Sequence, residues 1–166
     1  MHLFLRGGVA AASAMWYNEY HTLLNSGLNA DELHPFFFDQ HGLNFPEDGL
    51  YCLEETFRRD PAACRNFVRA SLEGWEYAFA HPEEALDVVM RHIREANGGT
   101  NRIHQKWMLA RMKDLISPPS PPGGAVALGS LRQEDYLRVA GEMKINGLIT
   151  EIPSHGEFYA NCAAIR

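Results

Sequence analysis

Residues 16–20, Trp-Tyr-Asn-Glu-Tyr, set flat rings, an amide and a carboxylate side by side. Tyr17 or Trp16 can stack on a planar ring. Asn18 offers a donor and an acceptor, and Glu19 offers two acceptors. This set suits a planar heteroaromatic carrying amino groups, such as an aminopyrimidine. A competing reading fits the same residues: Tyr17 and Tyr20 belong to a core, and Glu19 is a first-turn acid that favours a helix dipole.

Other chemistry is poorly represented. There is no GxGxxG, Walker loop, GxSxG or HExxH pattern. His34 and His41 flank Asp39, but that spacing matches no established metal site. Cys52 and His41 lack a third group to orient them as a nucleophile pair. No catalytic residue, metal ligand or cofactor is therefore assigned. Cys52, Cys64 and Cys162 have no CxxC spacing, and an odd number leaves one unpaired, so they read as buried free thiols.

The elements around the aromatic junction suggest how it is positioned. Residues 9–15, VAAASAM, read as a short buried strand, and 17–26 as a helix with Tyr17, Tyr20, Leu23 and Leu24 on one face. Ligands of open α/β sheets bind at the carboxyl ends of strands, where the next helix begins. Trp16 to Glu19 would occupy that place, beside free backbone N–H groups of the helix start. LHPFFFD at 33–39 and LYCL at 50–53 read as two further strands, joined by a Gly, Asn and Pro-rich loop.

The rest is helical in pattern. Asp60-Pro61 starts a helix with Cys64, Phe67, Val68, Leu72, Trp75 and Phe79 as its apolar row. A second begins at Pro82, with Leu86, Val89, Met90 and Ile93, and ends at Asn97-Gly98-Gly99. A third covers 101–115, with Ile103, Trp107, Ala110 and Leu115 in register. SPPSPPGG at 117–124 reads as a stiff connector. Ser130 and Gln133 read as a capping box before a last helix, with Leu131, Val139, Ala140 and Met143 inward and Gly147 as its stop.

Composition sets outer bounds. Hydrophobic residues make up 46% and charged residues 22% of 166, ordinary for a globular protein. A net charge of −6 without basic clusters argues against nucleic acid and against anionic lipid. No apolar run reaches the roughly 20 residues that span a bilayer, so direct membrane insertion is not expected. Arg6, Gly7 and Gly8 interrupt the apolar start, which does not read as a secretory signal.

The ordered series Tyr17-Asn18-Glu19-Tyr20, Gly42, Asp48-Gly49, Asp60-Pro61, Phe67, Ala70, Gly74, Tyr77-Ala78, Pro82 and Ala85 resembles a known family. These are the type II periplasmic solute-binding proteins, in the branch of thiamine-pyrimidine-precursor binding and synthesis proteins. The likeness runs over residues 7–115. It implies an α/β fold of two lobes: a partial second lobe (β-α-β) over 1–45, a crossing strand and first-lobe helices over 46–116, a Pro/Gly linker over 117–130, and a C-terminal helix and tail over 131–166. It implies ligand contacts from Trp16, Tyr17, Asn18, Glu19 and Gly42, a small heteroaromatic ligand, delivery to an ABC permease, a periplasmic address and no enzymatic step. Ala10 departs from the family's usual Asp. The front part of the fold is expected to be missing, so a homodimer or a partner supplying the absent lobe is also implied. A degenerate dimerising module and a pyrimidine-precursor synthase are the rival readings.

Overall fold

The computed structural model describes residues 1–117 and 127–163. In chain order the helices are α1 (His2–Leu5), α2 (Glu19–Asn25), α3 (Glu54–Arg59), α4 (Pro61–Ala80), α5 (Pro82–Glu95), α6 (Arg102–Ile116), α7 (Gln133–Ile145) and α8 (His155–Phe158). Short 3-10 turns lie at Ala30–Glu32 and Phe38–His41. Most of the connector predicted at 117–130 lies outside the described residues.

The α/β expectation is overturned. The described residues are 58% helical and contain no strand or sheet. Neither the β-α-β lobe nor the crossing strand forms. The physical reason lies in the three segments read as strands. A strand is stable only when its N–H and C=O groups find a ladder partner and one of its faces is covered. Residues 9–15 are exposed throughout. Pro35 removes a donor, and the chain then turns at Phe38–His41, with Gly42 at φ 74 closing the turn. Phe36 and Phe38 stay 71% and 66% exposed. Residues 50–53 are likewise unpaired in a ladder and exposed.

The helices follow the sequence more closely. Asp60 accepts a hydrogen bond from the Ala63 N–H at 2.9 Å, and Pro61 opens α4. Pro82 opens α5, and Gly147 at φ 71 follows α7. The capping box at Ser130 does not form: Arg132 caps α7, and Ser130 donates to the Ala127 carbonyl instead.

The chain divides into two compact units. The first comprises residues 1–35 and 74–120. Its α5 and α6 pack together, and α2 packs on α6. Leu86 of α5 is its most deeply buried side chain, at 2% exposure. Across the α5–α6 seam Arg102 pairs with Glu83 (2.7 Å) and with Asp87, and Lys106 also reaches Glu83 (2.7 Å). Hydrogen bonds from Lys106 and then Arg102 hold the Glu83 carboxyl below its usual range. The register predicted for α6 is corrected here. Of its four residues Ile103, Ala110 and Leu115 are exposed and Trp107 faces α2, where His104 and Arg111 join it.

The second unit comprises residues 36–73 and 121–166. Its core is built on α7, where Tyr136 and Ala140 are buried. The Tyr136 ring lies 4.9 Å from Phe158 and 5.6 Å from His155, and its hydroxyl donates to the Pro153 carbonyl at 2.7 Å. Gly129, at φ 79, meets Leu72 and Ala163 so closely that a Cβ there would lie 3.0 Å from the Leu72 methyls. The apolar row of α4 exists, yet no α4 residue is buried and Phe67 is 64% exposed. The three cysteines are free, and none is buried. Desolvation and contact with the Cys52 thiol push the Cys64 thiol up.

Candidate functional site

The aromatic junction sits where α2 meets α6, inside the first unit. The sequence explains both sides of the seam. Residues 104, 107, 108 and 111 recur at helical spacing on one face of α6. Opposite them, the chain from Met15 to Asn18 turns into α2. Trp16 packs at 4.7 Å from Tyr20 and 5.9 Å, edge on, from Trp107. The Trp107 indole N–H donates to the Trp16 carbonyl at 3.3 Å. The Arg111 guanidinium lies over Trp107 at 5.0 Å and over Trp16 at 6.0 Å, a cation–π arrangement.

A polar chain runs beside the rings. His104 Nε2 lies 2.9 Å from Asn18 Oδ1. His104 Nδ1 lies 2.9 Å from His21 Nδ1, and the Asn25 side-chain nitrogen lies 3.2 Å from that same His21 atom. His21 is buried and stacks on Trp107 at 4.7 Å with 10° between the planes. Burial, and then the neighbouring His104, lower its pKa from the ordinary value. Asn18 and His104 also line an open recess of about 460 Å³. The remaining lining is Thr22, Asn25, Gly99, Thr100, Asn101, Gln105 and Met108. No lining side chain is a carboxylate, an ammonium or a guanidinium. A smaller apolar pocket of about 190 Å³, reached by Trp75, Leu86 and Met112, shares Gln105 and Met108 with it.

The five sequence-derived positions fare differently. Asn18 faces the recess, bonded to His104. Trp16 is engaged in the ring cluster described above. The Tyr17 hydroxyl donates to Met15 Sδ at 2.8 Å. Glu19 folds back, accepting from the Met15 N–H at 3.0 Å and from the Asn18 amide at 3.4 Å. The N–H groups of Asn18 and Tyr20 donate to the Met15 carbonyl, so these helix-start donors are already used. Gly42 belongs to the second unit, where its left-handed conformation ends a 3-10 turn. Sequence reading missed His21, His104, Thr22, Asn25 and Gln105. Their only signal was periodicity: His21 and Asn25 are four apart on α2, as His104 and Met108 are on α6.

Residues 1–85, just over half of the chain, match the family model described as NMT1/THI5 like. The chain belongs to the NMT1/THI5-like family. The resemblance carried by Tyr17-Asn18-Glu19-Tyr20 and the motifs after it therefore holds at family level. This family member is also 29% identical over 101 residues to the riboflavin-binding protein RibY of Chloroflexus aurantiacus. The aligned stretch covers 59% of this chain and 29% of that relative. No solved structure matches the chain. Among the described residues no group of three or more His, Cys, Asp or Glu side chains is placed to hold a metal ion, and no helix is long and apolar enough to cross a membrane.

Proposed function

We propose that this chain binds a small, uncharged, planar heteroaromatic solute, of the aminopyrimidine or flavin-ring class, and performs no chemistry on it. The observation that carries the reading is the recess at the α2–α6 seam. Its volume of about 460 Å³ suits a small molecule. Amides, hydroxyls and the His104 imidazole line it, supplying both donors and acceptors. No lining side chain carries a fixed charge to pair with an ionised ligand, whereas ring carbonyls and amino groups would find partners in Asn18, Asn101 and Gln105. The His104 imidazole is the flat ring of the lining, while Trp16 packs in the ring cluster with Tyr20 and Trp107. In this reading Tyr17 and Glu19 shape the junction from within, and Gly42 remains a turn residue.

Family membership and the name of the relative favour binding over synthesis of such a molecule. Handing the solute to an ABC permease is the transport role that the family resemblance adds. Isothermal titration of the full chain with riboflavin and with a 4-aminopyrimidine is the test. Heat with one of them that falls at least about tenfold in affinity in Asn18→Ala supports the recess, since a buried hydrogen bond is worth on the order of 1 kcal/mol or more. No heat with either at high micromolar protein overturns it.

A second reading, a dimerising module without ligand, rests on a different observation. In the second unit Phe36, Phe38, Leu50, Tyr51 and Leu53 are all more than half exposed. Grouped exposed apolar side chains favour association. Light scattering that returns a monomer across the micromolar range removes this reading.

A further inference from the structure

The His21–His104 pair has a property that solute binding does not use. The two Nδ1 atoms are 2.9 Å apart, the ring centres 5.1 Å apart, and the planes 24° apart. Those values describe two nearly coplanar rings meeting nitrogen to nitrogen. The contact is therefore a single N–H···N hydrogen bond, which needs one proton between the two atoms. The neighbours decide which ring supplies it. Asn18 Oδ1 can only accept, so His104 Nε2 carries a proton. The Asn25 nitrogen can only donate, so His21 Nδ1 presents its lone pair. With the Asn25 nitrogen facing His21, the proton between the rings belongs to His104, which is the arrangement of a pair carrying one added proton. Turning over the Asn25 amide offers its oxygen to His21 instead and yields the neutral pair, with His21 as donor.

We propose that this pair is a proton-limited latch: it holds α2 on α6 with no added proton or with one, and a second added proton opens it. With two, both Nδ1 atoms carry hydrogens and face each other at hydrogen-bond distance, in a site closed on one side by the Trp107 ring. Like charges sharing such a site cannot both persist.

The groups around the pair leave that conclusion intact. From the α2 junction, Glu19 reaches it only through the Asn18 amide. From α6, Arg111 lies over Trp107 and pairs with Asp114 at 2.9 Å. Arg102 and Lys106 are taken by acids of α5. The 99–101 segment brings no charge. Among the described residues no carboxylate therefore touches either imidazole to neutralise a second proton.

The direction with pH follows. Unfolded histidine takes its proton near pH 6.5, while folded His21 takes it at lower pH because it is buried beside His104. The unfolded chain thus binds more protons below about pH 6.5, and stability falls as pH drops through that window. Asn18, Asn25 and His104 line the recess, so opening the latch also dismantles its wall.

The test uses the full chain and no ligand, so its outcome is separable from that of solute binding. Imidazole 15N spectra from pH 8 to 4.5 are expected to show the Nδ1–Nδ1 pair taking up its two protons in separate steps at least about tenfold apart in affinity. A coupling between the two Nδ1 nuclei should persist through the first step and vanish with the second. The urea midpoint should fall with that second step in the wild type. It should lose this fall in His21→Gln and in His104→Gln, whose amides can donate or accept without titrating, and keep it in the exposed-site control His92→Gln. Independent titration of the two rings without coupling, or a urea midpoint that ignores the second step, overturns the latch.

Discussion

The α2–α6 seam and the 36–53 segment are both rich in large apolar side chains, and the chain treats them in opposite ways. At the seam, Trp16, Tyr20, His21 and Trp107 pack ring on ring within about 6.4 Å. In the 36–53 segment Tyr51 stays 80% exposed and Leu53 74% exposed. The difference is not hydrophobicity. Residues on α6 repeat at helical spacing, so one rigid face presents several side chains to α2 at once. A helix satisfies its own backbone groups before it packs. An extended segment must find a neighbour for its backbone as well as a cover for its side chains, and residues 36–53 find no ladder among the described residues. Aromatic content therefore makes a core only where the backbone is already self-sufficient.

The comparison breaks most readily at its hub. Trp107→Ala removes the ring that Trp16, Tyr20, His21 and Arg111 all contact, and is expected to cost about 3 kcal/mol in urea unfolding. A loss below about 1 kcal/mol would mean the seam is no better packed than the 36–53 segment. Arg102→Ala should have a smaller effect, because exposed ion pairs contribute little and are screened by salt. Its signature lies in pH. Glu83, held below its usual range by Lys106 and Arg102, contributes stability above the ordinary carboxylate pKa that is lost as pH falls towards its folded value. Removing Arg102 should shrink that acid-side loss, read as a flatter urea midpoint below about pH 4.5. The smallest effect belongs to the exposed segment: Leu50→Ser should change stability by about 0.5 kcal/mol or less. A larger loss would show that Leu50 has a cover in solution, and would favour the dimerising reading.

Legibility divides along the same line. Asp60-Pro61, Pro82 and Gly147 mark helix ends with their own local chemistry, and those ends stand where the residues put them. Trp16 and Asn18 were legible as a junction, because the run of ring and amide types is unusual in itself. The partner surface was not. Hydropathy puts Ile103, Trp107, Ala110 and Leu115 in one row of α6, yet of these it is Trp107 that meets α2, and it does so beside a histidine and an arginine. A hydropathy pattern cannot register that an imidazole stacked on an indole, or a guanidinium lying over one, packs as well as an aliphatic chain.

Residue order alone was enough to specify the helices of 61–116, the aromatic junction at 16–20 and membership of the NMT1/THI5-like family, because caps, periodicity and motif order are local properties. Tertiary packing had to settle two things: that residues 9–15, 33–39 and 50–53 do not pair as a sheet, and that His21 meets His104 across 83 positions of sequence. Each depends on which distant group arrives to complete a hydrogen bond or cover a face, and no local pattern encodes that arrival.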